Sequence, residues 1–374
     1  MRSAAGDPVT LFLCGDVMLG RGVDQILPHP GDPALEESSV RDARAYVELA
    51  EAANGPIPRP GGYSWPWGDA LEVLDEAAPD VRVLNLETSV TRSRDFAPGK
   101  QVHYRMNPAN LPALAVARPD VCVLANNHVL DFGVRGLAET LDALAEAGLD
   151  QAGAGRDEDE ARRPAIVALP GGGRVLVFAV AMPSSGVPGG WAAVRDRPGV
   201  AFLAGPSRDA AAETVHCVRQ ARRPGDIVVV SIHWGSNWGY EVEDDQVAFA
   251  HALVEGGVDL VHGHSSHHPR PAEVYRDRLI LYGCGDFIDD YEGIAGYEEF
   301  RDDLRLLYFA TAEAASGRLL ELRMAPMRAV RMRLRHACPE DREWLRATLD
   351  GVCRDFGARV LPAPGGTLAL APAA

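Results

Sequence analysis

The sequence predicts an α/β fold whose strands end together at one polar edge. Three observations carry this. Apolar runs of strand length alternate with stretches of helical periodicity along the 374 residues. Five of the runs stop on side chains that can bind a metal or move a proton. And the run at 258–269 breaks at Gly263 into a loop with His262, His264, His267 and His268, four of the chain's eleven histidines within seven residues. Imidazole is the commonest metal-ligating side chain, and loops at strand ends are where α/β proteins place their chemistry. The cluster therefore points to a metal or phosphate site.

The elements follow in order. Residues 9–21 form a continuous apolar run ending at Gly15 and Asp16, as expected of a strand buried on both faces. A carboxylate buried there needs a cation or several donors. Residues 28–68 are rich in Pro and Gly and predict a long irregular insertion over one face, with a short helix over 38–53. Tyr63, Trp65 and Trp67 are expected to pack on the core or its rim. A helix over 67–78 leads to a strand at 81–87 that ends in Asn85 and Glu87. A helix over 107–117 precedes a strand at 119–125 running into Asn126, Asn127 and His128. Residues 136–148 read as an amphipathic helix with Leu137, Leu141 and Leu144 on one face, and 153–155 as a turn. Residues 163–181 predict a hairpin around three consecutive glycines, since two strands flank them and no helix follows. A helix over 208–222, a strand over 226–235 ending in His233, a helix over 246–256 and a strand over 278–287 ending in Asp286 complete the core. Residues 304–330 alternate like antiparallel strands at the far edge of a sheet. A helix over 340–356 follows, and the small, apolar tail 365–374 is expected to be weakly ordered. One domain over 1–374, with the insertion at about 28–68 and C-terminal strands and helix at about 304–362, is the simplest organisation.

Bulk properties exclude several functions. The formal net charge is −16, which repels nucleic-acid phosphates and anionic membranes. No stretch reaches the apolar length of a bilayer span, and the N-terminal residues are too short and polar for a signal peptide, so a cytoplasmic location without a membrane anchor is expected. The six cysteines contain no Cys-x-x-Cys pair, so neither a zinc ribbon nor a disulfide framework is predicted.

The polar strand ends are Asp16; Asn85 and Glu87; Asn126, Asn127 and His128; His233; and His262, His264 and His267. Oxygen and nitrogen donors without thiolates suit Mn, Fe, Zn, Co or Mg. They outnumber the ligands of one tetrahedral metal, which points to two divalent ions. Arg21 is placed to clamp an anionic group or to form an ion pair, and Asp131 to hold His128 or to cap the following helix.

Taken in order, Gly-Asp-Val-Met-Leu-Gly-Arg at 15–21, Asn-Leu-Glu at 85–87, Asn-Asn-His-Val-Leu-Asp at 126–131, His-Trp-Gly at 233–235, Gly-His-Ser-Ser-His at 263–267 and Tyr-Gly-Cys-Gly-Asp-Phe at 282–287 resemble the CapA family. These are the poly-γ-glutamate capsule synthesis-like proteins, a branch of the calcineurin-like metallophosphoesterase superfamily. The resemblance implies an αββα sandwich of two mixed β-sheets flanked by helices. It implies metal ligands at Asp16, Glu87, Asn127, His233, His264 and His267, with His262 a competitor, and a catalytic role for His128. Three departures stand out. Met18 occupies the position of a superfamily histidine, Glu87 replaces an aspartate, and two residues rather than one separate His264 from His267. The implied activity is metal-dependent hydrolysis, a metal-bound hydroxide attacking a phosphoester or an amide, possibly γ-glutamyl, of a small anionic molecule or polymer end. A non-catalytic accessory role in polymer synthesis and a metal-dependent amide-forming activity are the alternatives.

Overall fold

The computed structural model describes residues 8–373. Residues 1–7, with most of the N-terminal stretch discussed above, and residue 374 lie outside the described residues.

The described residues build two large mixed sheets and two small two-stranded ones. In the first, the strand Pro8–Val17 is central. It pairs in parallel with Val81–Leu86, followed outward by Val121–Val123 and Asp150–Ala152. On its other side the antiparallel strands Leu304–Glu313, Leu319–Ala329, Leu368–Pro372 and Ala358–Pro362 extend the sheet. The second sheet runs in the order Ala272–Tyr275, Arg278–Leu281, Leu260–His264, Asp226–His233, Arg174–Ala181 and Ala165–Ala168, with its three central pairings parallel.

Side-chain alternation assembles the layers. Val175, Val177, Ala179, Ile227 and Val229 face the first sheet and join its core. Their neighbours Leu176, Phe178, Val228, Val230 and Ile232 face outward and pack on Val215 and Val218 of the helix Arg208–Ala221 and on Phe249 and Leu253 of the helix Asp244–Gly256. Helices Ala70–Ala77, Gly133–Glu146 and Pro339–Cys353 bury Leu74, Leu137 and Leu345 in the core that contains the first sheet. The result is helices, two sheets, and helices.

The run 278–287 is not one strand. Arg278–Leu281 belongs to the second sheet, and the chain then crosses through Gly283 and Gly285 so that Asp286–Ile288 pairs in parallel with the end of Pro8–Val17, Asp286 opposite Asp16. The crossing is tight. A Cβ on Gly15 would lie 1.6 Å from the Gly285 carbonyl oxygen, so only glycine fits at 15.

Three other expectations are corrected. Residues 304–330 are strands but lie inside the first sheet, because Leu304–Glu313 pairs directly with Pro8–Val17. The tail is not weakly ordered where the structure describes it: Leu368–Pro372 pairs with Ala358–Pro362 and Leu319–Ala329, which satisfies its backbone on both sides. Residues 107–117 form two short helical pieces, Pro108–Asn110 and Pro112–Ala115, because Pro112 withholds a backbone donor from any continuous helix.

The insertion is anchored by Asp24, in the short helix Arg21–Ile26. Its buried carboxylate accepts from Gly31 N at 2.6 Å, Asn107 N at 2.9 Å and Asn110 Nδ2 at 2.7 Å. Burial raises this carboxyl to about 6. Asp24→Ala strands those donors and is expected to cost about 2 kcal/mol, measured by urea denaturation. The folded chain binds this proton more readily than the unfolded chain, whose value is about 3.9. The Asp24 contribution to stability therefore falls as pH rises from about 4 to about 6, and the variant should lack that slope.

Candidate metal centre

The ends of Pro8–Val17 and Val81–Leu86 bring carboxylates, and the ends of Asp226–His233 and Leu260–His264 bring imidazoles, to one place between the sheets. Asp16, His233 and His264 each offer a ligand atom, and these atoms lie within 4.8 Å of one another. All three residues are buried, at 0–1% exposure, so water does little to solvate their polar atoms.

Backbone constraints put them there. Gly263 lets Leu260–His264 press against the neighbouring strand, since a Cβ on it would come within 2.5 Å of the Tyr282 carbonyl oxygen. Immediately after His264 the backbone of Ser265 takes φ +102°, a conformation costly for any residue with a side chain, and such strain collects at functional sites.

The donor set fits a cation. Asp16 Oδ1 accepts from Asn85 Nδ2 at 2.8 Å, but Asp16 Oδ2 is buried with no hydrogen-bond partner. Burial, with Asp286 nearby, raises the Asp16 carboxyl to about 7. Burial, then the Asp16 charge, holds Glu87 well above the ordinary carboxylate range. His233 Nδ1 and His264 Nδ1 face each other at 2.7 Å. Only one proton fits between two such nitrogens, and burial holds both imidazoles well below their ordinary range, as uncharged donors. Their outer nitrogens are braced, His233 Nε2 against Asn127 Oδ1 at 3.1 Å and His264 Nε2 against Ser231 Oγ at 2.8 Å. Such braces fix ring orientation and tautomer. A divalent cation is the group that an orphaned carboxylate oxygen and two facing ring nitrogens would receive.

Glu87 and His128 flank the cluster. Glu87 Oε2 accepts from Asn85 Nδ2 at 2.9 Å, and Glu87 Oε1 lies 3.8 Å from His233 Nε2 and 3.9 Å from His128 Nε2. His128 Nδ1 sits 2.7 Å from Asp131 Oδ2, which also accepts from Tyr104 N at 2.6 Å. Burial lowers His128 to about 4, against the opposing pull of Asp131. The Tyr104 ring meets the His128 ring edge-on at 4.6 Å.

The remaining candidates stand apart from the three-residue cluster. His262 uses both ring nitrogens on protein groups, Ser231 Oγ at 3.0 Å and the Cys14 carbonyl at 2.9 Å. His267 pairs with Asp286 at 3.0 and 3.1 Å and meets Asn237 Nδ2 at 3.0 Å. Against the lowering effect of burial, Asp286 holds this imidazole above its ordinary range. Arg21 is 4% exposed; it binds Asp290 with two nitrogens and Glu37 with a third, so its fork is engaged in a buried ion-pair network rather than free to clamp a ligand. Met18 is fully buried with its sulfur 3.7 Å from the Tyr291 hydroxyl.

Sequence reasoning missed Lys100. Its ammonium donates to Asp131 and to the Asn127 carbonyl and lies 2.9 Å from His128 Nδ1. It sits in a loop nearly thirty residues before His128, with no periodicity or motif to mark it. Ser231, the brace between His262 and His264, was hidden inside an apolar strand.

The family model described as "Bacterial capsule synthesis protein PGA_cap" matches residues 10–291. The chain is 56% identical to a probable polyglutamine synthesis accessory protein of Mycobacterium tuberculosis, covering 99% of this chain and 98% of that protein. It is 27% identical to the PGA biosynthesis protein CapA of Bacillus subtilis, over 82% of this chain and 69% of the relative. Among solved structures, a 5'-nucleotidase precursor from Thermus thermophilus is similar at 18% identity and a TM-score of 0.48, covering 90% of this chain and 55% of that one. The match over residues 10–291 contains every strand end that supplies the cluster, and the chain belongs to the bacterial capsule synthesis protein PGA_cap family.

Proposed function

We propose that the chain is a divalent-metal-dependent hydrolase that cleaves a phosphoester or amide bond of a small anionic molecule or a polymer end. The observation that carries this is the buried Asp16 with its orphaned Oδ2, beside the facing nitrogens of His233 and His264. Asp16, His233 and His264 would hold one ion; Glu87 and Asn127 adjoin them as donors for a second, with Mn, Fe and Zn all compatible with this set. Bound there, a divalent ion supplies Lewis acidity and makes water acidic enough to ionise near neutral pH.

The chain's own residues do the rest. Asp131 orients the His128 ring through Nδ1, leaving Nε2 on the side of Glu87. His128 would therefore carry the proton that the leaving oxygen or nitrogen requires. Lys100 fixes Asp131 from the other side. Low exposure of Asp16, Glu87, His128, His233 and His264 keeps bulk water from screening these charges.

A second reading rests on the accessory role in the name of the 56%-identical relative: a binding protein of polymer synthesis in which the site orders a carboxylate chain without cleaving it. Elemental analysis of the purified protein, with turnover assays on phosphomonoester and γ-glutamyl amide substrates, separates the two. Near two divalent ions per chain, lost in His264→Ala together with turnover, is the expected result. Bound metal with no turnover on either class favours the accessory reading. No metal after incubation with Mn, Fe or Zn sinks the metalloenzyme.

A further inference from the structure

A polar cavity lined mostly by C-terminal residues shares no residue with the histidine site. It has a volume of about 350 Å³, within the range of small-molecule pockets. Its floor is the first sheet, where Phe309 and Arg323 are cross-strand partners. Its walls are the helix Ala70–Ala77, the start of the helix Pro339–Cys353 and the turn at Pro364–Gly366. Arg323, Arg342 and His336 line it.

These two arginines are unlike those around them. Arg301, Arg333, Arg335 and Arg359 each reach a carboxylate within 3.5 Å. In a chain with 53 acidic against 37 basic residues, pairing is what an arginine is expected to find. Yet among the described residues neither Arg323 nor Arg342 makes a salt bridge or a side-chain hydrogen bond, although both are half-buried and Glu76 lines the same cavity. Arg342 Nη1 lies against the turn, 2.0 Å from where a Cβ on Gly366 would stand, and Gly366 takes φ +74°, which glycine adopts without strain. The Arg323 guanidinium carbon lies 5.3 Å from the centre of the Phe309 ring, a cation–π contact that leaves its N–H groups without a hydrogen-bond acceptor among the described residues.

We propose that this cavity is an oxyanion-binding site, taking a phosphate or carboxylate group between Arg323 and Arg342. Guanidinium forks match both groups with paired, charge-assisted hydrogen bonds. The net charge of −16 disfavours anions elsewhere on the surface, so a local pair of free cations is what a specific site on this molecule requires.

The test is calorimetric titration of the full chain with inorganic phosphate and, separately, glutarate; the two arms tell a phosphate site from a carboxylate site. Each is run on wild type, on His233→Ala, which disables the histidine site, and on Arg323→Gln/Arg342→Gln, with thermal unfolding of every variant. The expected result is binding of at least one anion that survives His233→Ala, weakens at least about tenfold in the double variant, and declines with salt. The single variants Arg323→Gln and Arg342→Gln give the same reading if the double variant unfolds. Affinity unchanged in folded arginine variants, or no binding of either anion to His233→Ala that retains the wild-type melting profile, overturns the proposal.

Discussion

His128→Ala is expected to lower kcat about 10²- to 10⁴-fold on the proposed phosphoester or amide substrate, with divalent-metal content unchanged. The reason is positional. His128 is not in the Asp16–His233–His264 cluster, but its Nε2 lies 3.9 Å from Glu87 Oε1 and its Nδ1 is tied to Asp131 at 2.7 Å. Removing the ring takes away a proton carrier and no member of that cluster. The measurement is steady-state kinetics beside elemental analysis on the same preparation. Loss of kcat with metal retained supports the assignment. Turnover within about threefold of wild type would remove His128 from the chemistry, and loss of metal would make it a ligand instead.

Arg21→Met is expected to destabilise the fold by about 3–5 kcal/mol, the cost of leaving a buried charge without its partner. Asp290 Oδ2 accepts from Arg21 Nε at 2.8 Å and from Gly22 N at 2.7 Å, and Glu37 Oε1 accepts from Arg21 Nη1 at 3.3 Å. Both carboxylates are buried, so methionine would strand two negative charges at once. The guanidinium also lies 3.7 Å from the centre of the Tyr46 ring and 4.5 Å from that of Tyr104, and neither contact survives. Urea denaturation at neutral pH measures the change. A loss below about 1 kcal/mol would show that Asp290 and Glu37 are neutralised by other means. Because Tyr104 touches both Arg21 and His128, a smaller fall in kcat is expected to accompany the loss of stability.

The strand ends were legible because burial and chemistry write opposite signals side by side: an apolar run, then a ligand. Asp16, Glu87, His128, His233 and His264 all sit at such boundaries, and the fold brings them together. The boundary signal does not say which way a side chain turns. His262 and His264 are two residues apart on one strand, yet His262 spends its ring on Cys14 and Ser231 while His264 faces His233. Nor does it report partners from loops: Lys100 is placed by tertiary packing alone. The tail misled for a related reason. Small apolar residues promise little core, but Leu368–Pro372 gains its order from backbone pairing, which composition does not record.

The pairing of Pro8–Val17 with Leu304–Glu313 fixes when this protein can finish folding. The central strand is made before both neighbours; Val81–Leu86 follows soon after, but the central strand's other edge waits for a segment more than two hundred residues further on. At ribosomal speed that delay is roughly ten seconds to a minute. Through it the nascent chain presents an apolar strand with one unpaired edge, the kind of surface on which chains aggregate. A fragment cut at residue 291, where the family match ends, would keep the cluster's residues and lose that partner for good. Residues 8–291 are thus expected not to fold as a unit alone: the C-terminal strands supply the partner for the edge that Pro8–Val17 otherwise leaves unpaired.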